Sequence, residues 1–217
     1  DHVWFFLVFA DRSNCVFTRY GEVMVEDYKL VDAPVEQPLS MHPKKFAMWL
    51  FIVTVIMIFA AFTSAHIVRQ ADGDWLEYDI PSMLWITSGI ILVSSVFMQW
   101  AYIAAKNNKP EQVKLALSIT AVLGVIFLFG QLQAWDQLVE AGVFFVGNPA
   151  GSFMYVFTGL HAAHLISGII FLIYMVVMAY KYKVHSKNML NIEMSTTYWH
   201  FLGGLWIYLF IFLLLNH

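Results

Sequence analysis

The chain has 217 residues, 60% hydrophobic and 12% charged, with a mean hydropathy of +0.66. An ordinary soluble domain carries about 25% charged residues, so this composition excludes a mainly wetted surface and points to lipid. The net charge of −3 gives no sign of a nucleic-acid partner, and the single cysteine, Cys15, excludes an internal disulfide or a multi-cysteine metal site.

Residues 1–43 read as an N-terminal cytoplasmic arm. Its stretch "VEDYKLVDAPVEQPLS" is polar and carries two prolines, which suits an extended segment. A solvated tail is the default for it, and docking onto a neighbouring protein assembly is the alternative. Residues 1–23 are of doubtful origin. The first residue is Asp, so Met24 or Met41 is a candidate start; the other reading is an interfacial segment using Trp4, Phe5 and Phe6. The apolar run 3–10 is short and follows no basic region, which argues against a secretory signal.

From there the charges are segregated. The runs 46–68, 81–105, 115–135, 149–180 and 194–216 contain no Asp, Glu, Lys or Arg. Each reaches the roughly 20 residues a helix needs to cross a bilayer core. A membrane strand needs only about 9–11 residues of alternating polarity, and these runs lack that alternation. The prediction is an all-α, polytopic membrane bundle of five transmembrane helices over residues 44–217, since a helix satisfies its backbone hydrogen bonds without water.

The flanks set an orientation. Lys44, Lys45, Lys106, Lys109, Lys114, Lys181, Lys183 and Lys187 fall on one side, and Arg69 alone on the other, beside Asp72, Asp74, Glu77, Asp79, Asp136 and Glu140. Positive loops stay cytoplasmic, so the N-terminus is expected inside and the C-terminus outside. Small residues recur at helix-packing spacing: Gly159, Ala163 and Ser167; Ala60 and Ser64; Ala101 and Ala105. The pairs Ser94–Ser95 and Gly203–Gly204 extend the pattern. Trp75, Trp85, Trp100, Trp135 and Trp199 lie near segment ends, where indoles anchor at the interface.

The stretch "GLHAAHLISG" (159–168) is the main chemical puzzle. His161 and His164 are about 60° apart in projection and about 4.5 Å along the axis, so they share a helix face. Bis-histidine haem needs facing imidazoles at one depth; these two are on one helix, and His200 is expected to lie too near the cytoplasmic side to pair with them. A copper or zinc site wants three or four converging donors, and no carboxylate or thiol lies inside a span to complete one. A proton path through Gln131, Gln133 and Glu193 is at best broken. The remaining reading makes the histidines polar joints that hydrogen-bond Ser, Thr or backbone carbonyls of neighbouring helices, a lipid headgroup or a partner subunit, because a buried polar group needs a partner.

"SFMYVFTGLHAAHLISG" (152–168) followed by "EMSTTYWHFLGGLWIYLFIF" (193–212) resembles the last two helices of cytochrome c oxidase subunit III. Gly159, His161, His164 and Gly168 match that family's G-x-H-x-x-H-V-x-x-G phrase; Glu193, Tyr198, Trp199, His200, Phe201 and Trp206 match its acidic residue and Y-W-H-F-V-D-x-x-W. "MWLFIVTVIMIFAAF" (48–62), "LVSS" (92–95) and "QLQAWD" (131–136) match further phrases, so the resemblance runs from about residue 44 to 215 in order. Two positions depart from it. The family's acid on the first of these helices is Val55 here, so any proton-linked role of that carboxylate does not transfer, and the Asp after W-H-F-V is Gly203.

The resemblance implies a non-catalytic subunit of a bacterial haem–copper terminal oxidase, in the five-helix form. It would pack directly on subunit I, with subunit II and small subunits nearby, bind phospholipid, and support assembly, sustained O2 reduction and proton uptake. Haem and copper are then expected in the partner subunits, with no cofactor, metal or catalytic residue in this chain. Trp49, Gln133 and Trp206, which fall within the matches, are candidate lipid or helix contacts. The alternatives are a related subunit of a quinol oxidase or nitric oxide reductase, a membrane b-type cytochrome, or an independent small transporter. The last would predict an internal repeat, broken helices or a membrane-embedded charge.

Overall fold

The computed structural model describes residues 42–73, 75, 78, 80–181 and 189–216. Residues 1–41, Asp74, Glu77, Asp79, Lys183 and Lys187 lie outside them, and with them nearly all of the predicted arm. The described chain forms five α-helices: α1 Pro43–Ala71, α2 Ser82–Lys106, α3 Pro110–Glu140, α4 Pro149–Tyr180 and α5 Leu190–Leu215. All five are long and apolar enough to cross a membrane. The protein is a polytopic all-α bundle.

Local chemistry sets the helix ends. Proline opens α1, α3 and α4, where its missing N–H would have no intrahelical partner. The Asn148 side chain caps α4 by accepting from the Ala150 N–H at 2.9 Å. Residues 107–109 join α2 to α3 in a tight turn. There the Lys109 N–H reaches the Ala104 carbonyl at 3.0 Å and the Asn108 N–H reaches Ala105 at 3.2 Å. That double bond pattern needs a left-handed residue, and Asn108, at φ 53°, supplies it. Gly142, at φ 78°, does the same at the end of α3.

The helices outrun the charge-free runs. α3 has 31 residues and α4 has 32, about 47 Å each at 1.5 Å per residue, against a hydrocarbon core of about 30 Å. Helix therefore continues through Lys114 and Asp136, as it can where long charged side chains reach toward headgroups. Lys114 pairs with Glu111 at 2.9 Å and lies over the Tyr180 ring.

α2 and α3 form the most extensive helix pair, and α5 packs on α2 and α4. Among the described residues α1 touches α4 and α5 but not α2 or α3. Trp199, Trp206, Phe59, Phe127 and Phe157 fill the core. Val55, at the position of the family's carboxylate, is 1% exposed and is part of that core. Two glycines on α3 let neighbours close in. A Cβ on Gly124 would meet the Trp199 ring at 2.7 Å, and one on Gly130 would collide with the Thr87 methyl.

Candidate functional site

The candidate site residues gather where α4 and α5 meet the other helices. Indole donors make the ties between helices here. Trp199 Nε1 donates to Ser94 Oγ on α2 at 3.1 Å, and Trp206 Nε1 donates to Ser88 Oγ on α2 at 3.0 Å. Trp135 Nε1 on α3 donates to Thr158 Oγ1 on α4 at 2.9 Å. Each hydroxyl passes its own proton to a carbonyl of its own helix: Ser88 to Leu84, Ser94 to Ile91, Thr158 to Met154. Trp199 and Trp206 are both 1% exposed, so Trp199 is a core donor and not the interfacial anchor its position near a segment end suggested. Trp85, by contrast, stays 57% exposed, with its ring against Phe210.

His161 and His164 part company. His161 is fully buried, 4.9 Å from the Trp206 ring and 5.9 Å from the Phe127 ring, so it faces α5 and α3. His164 faces α1, against Phe51 and Phe59. A 60° separation is enough to place two side chains in different helix–helix grooves. His164 Nδ1 bonds the Leu160 carbonyl of its own helix at 2.7 Å. Across α4 and α5, the Tyr198 and Ser167 hydroxyls bond each other at 2.7 Å, and both approach the His164 carbonyl. Neither ring nitrogen of His161 has a hydrogen-bond partner. The expectation that the imidazoles bond hydroxyls or carbonyls of neighbouring helices thus fails for this pair.

His200 stands apart from both. Contacts between Tyr198 and Ser167, and between Trp206 and His161, set the antiparallel register of α5 on α4. His200 then falls level with about residue 166, a little nearer the lysine-bearing end of the bundle than His164 and about 7 Å nearer than His161. It is set apart by direction: its Nε2 meets Gln99 Oε1 on α2 at 3.1 Å. Facing bis-histidine geometry is absent for this reason, and among the described residues no three His, Cys, Asp or Glu groups converge.

The other named residues serve different ends. Glu193 accepts from Lys45 Nζ at 2.8 Å, tying the first turn of α5 to that of α1. Gly168 is a close-approach point, since a Cβ there would lie 2.8 Å from Leu202 Cδ1. Gly159 has more room: its added Cβ would meet only Trp135, at 3.8 Å. Ala163, Ala60 and Ser64 are exposed, whereas Ala101 and Ala105 are buried. Of the small-residue stripes only the one on α2 packs inside the chain. Trp49 and Gln133 are exposed on the bundle surface. Ser88, Thr87, Gly124 and Gly130 were not singled out from the sequence. The signal available was a small or hydroxyl residue recurring on α2 and α3 in a chain rich in indoles.

A five-helix membrane bundle knit by indole–hydroxyl bonds between helices defines a polytopic integral membrane protein. The profile of the family described as "Cytochrome c oxidase subunit III" matches residues 36–216. The "Cytochrome c oxidase subunit 3" of Corynebacterium diphtheriae is 31% identical over 74% of this chain and 82% of its own length. The "Probable cytochrome c oxidase subunit 3" of Rickettsia bellii is 29% identical over 92% of this chain and 77% of its own. The mouse (Mus musculus) "Cytochrome c oxidase subunit 3" is 29% identical over 80% and 70%. The chain belongs to the cytochrome c oxidase subunit III family: a multi-pass membrane subunit of a respiratory oxidoreductase complex.

Proposed function

We propose that this chain is the non-catalytic subunit III of a bacterial cytochrome c oxidase. It sits in the inner membrane with its N-terminal side cytoplasmic and its C-terminus periplasmic. It packs directly on subunit I, alongside subunit II and small subunits, and the haem and copper lie in subunits I and II. Its work is to support assembly, hold phospholipid and sustain O2 reduction and proton uptake by subunit I. The observation that carries this reading is the family match across residues 36–216 of the 217.

Three features support the finer points. The lysines at 44, 45, 106, 109, 114 and 181 all lie at one end of the bundle, opposite Arg69, which favours that end as cytoplasmic. The histidines point into three different surroundings, which suits packing roles better than a shared ligand set. An apolar cavity of about 390 Å³ opens between α1 and α5, lined by Ile56, Phe59, Ala60, Gly204, Leu205 and Tyr208 among others. Its apolar lining suits a lipid acyl chain.

The test is to prepare the oxidase with and without this chain and follow O2 uptake to exhaustion. The initial rate is expected to stay near that of the intact enzyme, while activity decays after fewer turnovers and bound phospholipid per complex falls. An unchanged turnover lifetime and lipid content would contradict the role.

A further inference from the structure

The centre of the α2–α5 bundle holds more hydrogen-bonding atoms than its side chains can satisfy. Both ring nitrogens of His161 and the Oε1 atom of Gln131 are buried without a partner. His161 is 0% and Gln131 1% exposed. The two residues share one neighbourhood. Phe127, against the His161 ring, lies one turn before Gln131 on α3, and Trp135, which meets Thr158 on α4, lies one turn after it. Gln131 therefore falls between two α3–α4 contacts, one made by His161 itself and the other by Thr158, one turn before it on α4. On the opposite side, Gln131 Nε2 donates to Thr87 Oγ1 at 3.2 Å, next to Ser88, whose hydroxyl accepts from the Trp206 indole, tilted 36° against the His161 ring.

None of the surrounding hydroxyls has a proton to spare. Thr87 donates to the Leu84 carbonyl at 3.1 Å, Ser88 to the same carbonyl at 2.7 Å, and Thr158 to Met154 at 2.8 Å. The indole protons of Trp135 and Trp206 are likewise committed. A neutral imidazole presents one donor and one acceptor, and Gln131 Oε1 presents only an acceptor. What this set lacks is a small group that both donates and accepts. Leaving such atoms dry costs about 1–3 kcal/mol each.

We propose that His161 and Gln131 form a binding site for ordered water inside the transmembrane bundle, with one water bridging an imidazole nitrogen to Gln131 Oε1. The two ring nitrogens open on different edges, so a second water serves the other. Buried waters of this kind make about three hydrogen bonds to polar groups that lack other partners. His161 is thus a solvated joint at the meeting point of α3, α4 and α5. The inference concerns this chain's core and stands or falls apart from its role in turnover.

The experiment uses the intact oxidase complex. A density map at about 2 Å should show at least one solvent peak within hydrogen-bond distance of both a His161 nitrogen and Gln131 Oε1. Side-chain density with no such peak overturns the proposal. Thermal release of the subunit gives an independent readout whose sign discriminates. His161→Phe keeps a flat aromatic ring, one atom larger, and removes both nitrogens. If the core is dry, this removes desolvated polar atoms and the release midpoint rises. If water is bound, it strands that water and Gln131, and the midpoint falls by about 2–4 °C. Adding Gln131→Leu should recover part of that fall, because the stranded acceptor is then gone. An unchanged or higher midpoint for His161→Phe overturns the proposal. Should a variant fail to assemble, the density map of the unaltered complex decides.

Discussion

Gly124→Ala is the sharpest single test of how α3 and α5 pack. The added methyl would lie 2.7 Å from Cη2 of the Trp199 ring and 3.3 Å from Ile169 Cγ1. Comfortable carbon contacts lie at about 3.5–4.0 Å, so something must yield by about 1 Å. The ring is not a free end: it is 1% exposed and held at Nε1 by Ser94. Forcing a methyl into a packed core costs about 1–3 kcal/mol, and tilting the indole off Ser94 adds about 0.6 kcal/mol at membrane values. Gly89→Ala is the control, because nothing lies within 4 Å of its added Cβ; there the helix gains about 0.5–1 kcal/mol from the lost glycine entropy. The assay is the midpoint for thermal release of the subunit from detergent-solubilised oxidase. Gly124→Ala should lower it and Gly89→Ala should not. Equal midpoints for the two variants would refute the close approach of Trp199 to α3.

Other perturbations follow from the same contacts. Trp206→Phe and Ser88→Ala should show a coupling of about 0.6 kcal/mol in a double-mutant cycle, read from the same midpoint; additive effects would deny the 3.0 Å bond between them. The Lys45–Glu193 pair is 30% and 43% exposed, so its coupling should stay below about 1 kcal/mol and shrink with added salt; a large, salt-independent value would contradict the exposed geometry. Burial pushes the Tyr78 phenol, in the α1–α2 connection, up to about 12 from its ordinary 10.0. Its neutral form is favoured in the folded state, so its contribution is complete below pH 10 and is lost as pH rises toward 12. Ultraviolet titration of wild type against Tyr78→Phe should show this phenol ionising above the exposed tyrosines, and a Tyr78 titration at an ordinary pH would refute its burial.

Five helices were legible because the charge-free runs are long and unmistakable in composition. Their ends were less so: Lys114 and Asp136 lie inside α3 although they bounded the run, because a charge near a helix end can reach the interface without breaking the helix. The motif residues were legible as polar groups in an apolar chain, but their partners were not. Spacing places His161 and His164 on one face; it does not say that a helix boundary divides that face between α1 and α3. Nor does it carry the register of α5 on α4, on which the depth of His200 depends. Trp199 was misread for a related reason. An indole near a segment end suits the interface equally well until Ser94 and Gly124 are seen to form its seat. Seats of that kind join helices far apart in sequence, and no local period encodes them.

The proposal that this subunit is redox-silent is tested most directly by metal analysis and a reduced-minus-oxidised visible spectrum of the oxidase before and after the chain is stripped away. Iron, copper and every haem band should stay with the remaining subunits in unchanged amount and position, and the released chain should be colourless. Haem or copper leaving with the released chain would contradict it.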